Sequence, residues 1–174
     1  WASYRRNEID RAAIDTVEGR LAPTPGTCGV MGTASTMACL VEALGLMLPG
    51  GASIPAVYAD RLRHAEETGR QAVQLTHSKV TPAEILTTDA FDNALRVLQA
   101  IGGSTNAVIH LTAIAGRLGI RLDLERLNEL ADSTPVLVDL KPSGDGYMED
   151  FHRAGGMEVL LHELRDLLHL DEKK

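Results

Sequence analysis

The feature that most constrains the fold is the run TASTMACLVEALGLML, residues 33–48, which carries a single formal charge, at Glu42. Its apolar residues surround a helix axis instead of forming a stripe, so a helix here has to be covered on all sides. The run falls short of the roughly 18 apolar residues that span a bilayer, which leaves burial in a protein core. Pro49, Gly50 and Gly51 are the expected end of that helix.

The remaining pattern is of helices separated by turns. Residues 3–17 predict a charged helix, and the two prolines and two glycines of EGRLAPTPG, residues 18–26, predict a loop after it. Pro55 suits the first turn of a helix whose later residues, DRLRHAEETGR, are polar enough to face water. Thr81, Pro82 and Glu84 spell a capping box with proline at the first helical position. Phe91, Ala94, Leu95, Leu98 and Ile101 recur at helical spacing until Gly102 and Gly103 stop them. Ser104 is placed to cap a further helix, and residues 107–115, with no formal charge apart from what His110 acquires, predict burial. PVLVDL, residues 135–140, is the clearest strand. Leu160, Leu164, Leu167 and Leu168 predict a final amphipathic helix. No repeat or linker divides the 174 residues, so one helix-rich unit with few strands is expected. Strands of the same sheet lying elsewhere in a longer protein would make the whole molecule α/β.

Composition narrows the function. With 44% hydrophobic and 24% charged residues the chain has the make-up of a folded soluble protein. Its net charge of −7 repels a phosphate backbone, which argues against nucleic acid as a partner. The first residues lack the apolar stretch of a signal peptide, so no membrane association and a cytoplasmic address are expected. A start at Trp1 instead of methionine points to processing or to a segment of a longer protein. The only two cysteines, Cys28 and Cys39, would stand about 16 Å apart on a continuous helix, too far for a disulfide.

In PGTCGVMGTASTM, residues 25–37, Gly26, Gly29 and Gly32 surround Cys28 directly before the apolar helix. Glycines let the backbone approach a ligand, and a helix N-terminus favours the thiolate that binds metals or attacks carbon. Two readings therefore stand for Cys28: a reactive or ligating thiol, or a small buried residue in a tight turn. A phosphate loop is disfavoured, because no GxGxxG or GK[ST] occurs. Cys39, among Met37, Leu40 and Val41, reads as core. IGGSTNAVIHL, residues 101–111, sets Ser104, Thr105 and Asn106 at helix-start amides with His110 one turn beyond Asn106. It reads either as an anion site or as an N-cap followed by a core histidine. KPSGDGYMEDFHRAGG, residues 141–156, lacks the alternating ligands of an EF-hand and reads as a solvated turn and helix start.

Taken together, GTCGVMGTASTMACLVEALGLMLPG from Gly26, IGGSTNAVIHL from Ile101 and LKPSGDGYMEDFHRAGG from Leu140 resemble, in order and spacing, the dihydroxy-acid and 6-phosphogluconate dehydratase family. The likeness runs from about residue 20 to residue 160. It implies a hydro-lyase in which the cysteine of this motif, here Cys28, is one of three thiolate ligands of an iron–sulfur cluster. The two earlier cysteines, the magnesium ligands and the later catalytic serine of the family have no counterpart in this sequence. Residues 1–174 are therefore expected to be part of the iron–sulfur-binding N-terminal domain of a longer enzyme, inactive alone, with its catalytic residues elsewhere. MGTASTM, residues 31–37, looks more like the sugar-acid branch than like the MYTANTM form typical of the branched-chain amino-acid enzyme, which implies an aldonate substrate and a [2Fe–2S] cluster, [4Fe–4S] being the alternative, besides Mg2+. A homodimer or homotetramer of the full-length enzyme is implied too. The competing expectations are a stand-alone helical binding module without catalysis and a cysteine-nucleophile enzyme built on Cys28, for which no nearby histidine serves as base.

Overall fold

The computed structural model describes residues 1–19, 26 and 28–171. Among the described residues it is helical, with no β-strand: α1 (Ala2–Arg5), α2 (Arg11–Gly19), α3 (Thr33–Ala43), α4 (Ala59–Ser78), α5 (Pro82–Ile85), α6 (Thr88–Ala100), α7 (Asn106–Arg117), α8 (Leu124–Asp132), α9 (Met148–Arg153) and α10 (Gly156–Leu164), followed by a 3-10 turn at Arg165–Leu167.

α6 is the hub. Its Thr87 cap accepts the Ala90 N–H at 3.1 Å, and it ends where Gly102 takes a φ of 55°, as the glycine pair predicted. It packs against α3, α7 and α8. Phe91, Ala94 and Val97 are fully buried there, and burying a side chain the size of Phe91 contributes about 2–3 kcal/mol. Two polar side chains of α6 tie down later segments. Asp92 receives two bonds from Nε of Arg126 on α8, at 3.3 and 3.2 Å, and Asn93 exchanges bonds with the His169 backbone at 2.9 and 2.8 Å.

Several boundaries differ from the sequence expectation. The first helix is broken in two: Asn7 turns left-handed at a φ of 56°, and Asp10 then caps α2 by accepting the Ala13 N–H. The loop expected at residues 18–26 lies largely outside the described residues. α3 stops at Ala43, short of Pro49, because Gly45 is left-handed (φ 80°). There the Gly45 and Leu46 amides donate back to Glu42 O and Val41 O, each at 3.0 Å, in a Schellman closure. α7 buries one face only, through Ala107, Leu111 and Ala115. Ile109 and His110 are exposed, so the core-histidine reading of His110 fails. Residues 135–140 form no strand; a single bridge, Leu140 to Gly146, is their one ladder contact, because no neighbouring strand lies among the described residues.

α4 behaves as its polar sequence predicts. None of its residues is buried, and it is anchored at its N-terminal end. There Arg61 donates to Gly51 O at 2.9 Å and also to Ile54 O, while His64 Nε2 lies 3.2 Å from Leu48 O.

Candidate functional site: the Cys28 loop

Cys28 sits in the loop before α3 with its side chain exposed, which sets aside the buried-turn reading. The loop is stitched to the protein by backbone bonds on both sides of the turn that follows Leu140. Met31 N–H donates to Lys141 O, and Met148 N–H donates to Gly29 O, both at 2.8 Å. That turn is itself braced. Lys141 Nζ donates to Asp145 O at 2.9 Å and stands 4.0 Å from the centre of the Tyr147 ring, and Asp150 accepts the Tyr147 N–H at 2.9 Å. A side chain at Gly146 would meet Asp139 O at 2.9 Å, so glycine is required for the turn to close. Gly26 has the same need for another reason, a φ of +107° with Ala56 Cβ 3.0 Å from where its own Cβ would be.

The segment around Ser104 holds the other end of the loop, the start of α3. Thr33 Oγ1 and Ser104 Oγ are 2.8 Å apart, Asn106 Nδ2 donates to Thr33 Oγ1 at 3.1 Å, and the Ser104 N–H donates to the buried Thr36 Oγ1 at 3.1 Å. These polar groups, read from sequence as a possible anion cradle, are engaged in joining α7 to α3. All three passages that the sequence singles out therefore converge on Cys28. Two of them act as clamps.

Beside Cys28 opens a cavity of about 570 Å³ whose walls include Ser35, Ser53, Arg61, Met148 and Glu149. Part of its wall, residues 51–54, is held by Glu42, whose buried carboxylate accepts the N–H of the preceding Gly50 at 2.7 Å and the Ala52 N–H at 2.9 Å. Burial raises the Glu42 pKa, and those two hydrogen bonds oppose the rise. Arg61 is committed to backbone carbonyls of the same wall. Ser53 Oγ lies 3.3 Å from His152 Nδ1, and Tyr58 donates to Glu149 at 2.8 Å. No histidine lines the cavity among the described residues, so the histidine base of a cysteine nucleophile is not found beside Cys28 there.

Cys39 is the chemical opposite. It is fully buried in α3, and burial first, then the nearby Glu42 charge, push its thiol up to about 12. It is core, as predicted. A third grouping, Asp89, Asp92 and His169, has ligand atoms within 4.8 Å of one another, but the Arg126 guanidinium already supplies its cation.

An exposed thiol on a cavity wall can supply one ligand to a metal or cluster, and the other cysteine, Cys39, is buried within α3. The full chain, residues 1–174, matches the family described as dihydroxy-acid/6-phosphogluconate dehydratase N-terminal. The chain belongs to that family. It is 49% identical over 171 residues to the dihydroxy-acid dehydratase of Caldanaerobacter subterraneus subsp. tengcongensis, covering 97% of this chain and 31% of the relative. It is 43% identical to that of Ruminiclostridium cellulolyticum over the same shares. With that of Methanococcoides burtonii it shares 48% over 148 residues, 85% of this chain and 27% of the relative. The chain thus spans about a third of the length of these curated relatives.

Sequence reasoning missed Glu42 as a clamp, although its signal was present: the lone charge of an apolar helix, eight residues before Gly50. It also missed the Asp92–Arg126 pair, which no local spacing marks.

Proposed function

We propose that this chain is the Cys28-bearing part of a hydro-lyase that converts a 2,3-dihydroxy acid into a 2-keto acid, Cys28 contributing one thiolate to an iron–sulfur cluster. When bound, the cluster supplies a Lewis acid for the C3 hydroxyl, a poor leaving group. Cys28 would hold it. The observation that carries this reading is an exposed thiol on a loop pinned directly after it, at Gly29 O and Met31 N–H, by backbone bonds to Met148 and Lys141. Such bracing fixes a ligand without spending its own sulfur. Thr33, Ser104 and Asn106 fix the helix start beside it, and Glu42 and Arg61 hold part of the cavity wall.

The other thiolates, the Mg2+ ligands and the base lie, on this reading, in parts of the protein outside residues 1–174, which form part of its iron–sulfur N-terminal domain. A [2Fe–2S] cluster is proposed over [4Fe–4S], with a homodimer or homotetramer in the cytoplasm. For substrate, the relatives' name favours a dihydroxy acid, whereas MGTASTM at residues 31–37 favours an aldonate.

The test is Cys28→Ser against Cys39→Ser in the full-length protein, measuring iron, sulfide, visible charge-transfer absorption and turnover of both substrate classes. Cys28→Ser should lose cluster affinity and turnover by at least about a hundredfold. Cys39→Ser should keep the cluster. A full cluster with normal turnover in Cys28→Ser overturns the assignment, and the faster of the two substrates decides the branch.

A further inference from the structure

Among the described residues, the polar side chains on the walls of the cavity beside Cys28 are those of Cys28, Ser35, Ser53, Arg61 and Glu149, and most are already engaged. Ser53 Oγ lies 3.3 Å from His152 Nδ1, Arg61 donates to Gly51 O at 2.9 Å and to Ile54 O, and Glu149 accepts from Tyr58 and from Arg153, each at 2.8 Å. Ser35 differs. It is only 3% exposed, yet its hydroxyl has no hydrogen-bond partner among the described residues, and it is not sealed in the packing, so it opens on the cavity that the residue lines. A hydroxyl withdrawn from water and left unbonded is a standing cost to the fold, and a polar ligand in the cavity removes that cost.

The backbone beside it is in the same condition. Ser35 stands in the first turn of α3, where the first bonded amide is that of Thr36, donating to Gly32 O at 2.9 Å. The amides of Thr33, Ala34 and Ser35 have no partner among the described residues. Unpaired amides at the positive end of a helix dipole favour an anion, and the side chain of Thr33 does not compete for it, being committed to Ser104 and Asn106. The space, about 570 Å³, is that of a small-molecule pocket.

We propose that the Ser35 hydroxyl, with the first-turn amides of α3, binds the carboxylate of the small hydroxy acid that occupies this cavity. The proposal rests on the reading that the cavity beside Cys28 is the substrate's. A carboxylate accepts from a hydroxyl and from amides at once and carries the charge that the start of α3 favours. Ser35 is thus a substrate-binding residue, and no bond within the described fold depends on its hydroxyl.

The test compares Ser35→Ala with the natural protein, both full-length. Calorimetric titration uses 2-oxopentanoate, a five-carbon 2-keto acid standing for the product. Ser35→Ala should bind it about ten- to a hundredfold more weakly, the range expected for a hydrogen bond to a charged group, and should lose kcat/KM to a similar extent, chiefly through KM. Its iron, sulfide and visible absorption should be unchanged and its melting temperature no lower. Equal affinity in the two proteins, including none in either, overturns the proposal. Loss of iron and sulfide in Ser35→Ala assigns the hydroxyl to the cluster, and a melting temperature several degrees lower assigns it to another segment of the protein; each overturns it as well. The same titration separates this idea from the Cys28 reading. A natural protein that takes up no cluster, yet binds 2-oxopentanoate through Ser35, supports the proposal and sinks that reading, whereas a loaded cluster with Ser35-independent affinity does the reverse.

Discussion

The two cysteines stand eleven positions apart in sequence and in opposite chemical worlds. Cys28 is exposed in a glycine turn that other segments hold by its backbone, and Cys39 is sealed in α3, its thiol pushed up to about 12. The difference teaches that reactivity is set by which atoms do the holding. Around Cys28 the bonds run through Gly29 O and Met31 N, leaving sulfur free, whereas around Cys39 the packing itself is the hold.

The largest effect that would break this contrast is thiol reactivity. At pH 8 a thiol near 12 is only about 10⁻⁴ thiolate, so a soluble alkylating reagent should label Cys28 at least about a thousandfold faster than Cys39 in the folded protein freed of any cluster, and both alike in denaturant. Peptide mass spectrometry over a time course reads it. Equal native rates would mean that α3 opens far more often than its burial implies.

Next in size is the cost of a hydroxyl at each site. Cys39→Ser places a polar group in the apolar core and should destabilise by about 1–3 kcal/mol, while Cys28→Ser without bound metal should stay within about 0.5 kcal/mol. Urea unfolding of both variants measures it. If Cys28→Ser is the costlier, the loop is part of the core and the contrast is wrong.

A smaller effect sits between the two regions. Thr36→Val keeps the shape of the buried side chain but strips the acceptor from the Ser104 N–H, joining α3 to α7 less firmly; about 1–2 kcal/mol should be lost. Exchange at the Ser104 amide should quicken in step. Unchanged stability would show that water replaces Thr36 there.

How much of this was legible in sequence depended on distance along the chain. The apolar run before Pro49 announced the buried α3, the Thr81 capping box appears as read, and the glycines around Cys28 marked the loop. Local signals misplaced ends where two of them competed: Gly45 closed α3 before Pro49 did. What no local pattern carried was the pairing of Met31 with Lys141 and of Gly29 with Met148, bonds between backbone atoms that are the same for every residue type. The strand read at residues 135–140 does not form, because β-propensity cannot supply the neighbouring strand that it needs; only the Leu140–Gly146 bridge is present.

The smallest effect sharpens the comparison from the Glu42 side, where one buried carboxylate lies between Cys39 and a wall of the Cys28 cavity. Burial raises its pKa above the ordinary 4.5, so the folded protein holds that proton more tightly than the unfolded chain does. As pH rises through 4.5 the unfolded chain releases its proton first, and stability attributable to Glu42 falls until the raised folded value is passed; above that it is constant. Glu42→Gln has no such proton. It keeps one acceptor for the Gly50 and Ala52 amides and leaves the other unpaired, a loss of about 1 kcal/mol that does not vary with pH. Unfolding free energy of the natural protein minus that of Glu42→Gln should therefore be largest at the acid end, decline from about pH 4.5 upward, and then flatten. A difference that instead grows with pH would show that the two amide bonds outweigh burial, and that the carboxylate is held below its ordinary value as a fixed anion beneath the cavity wall.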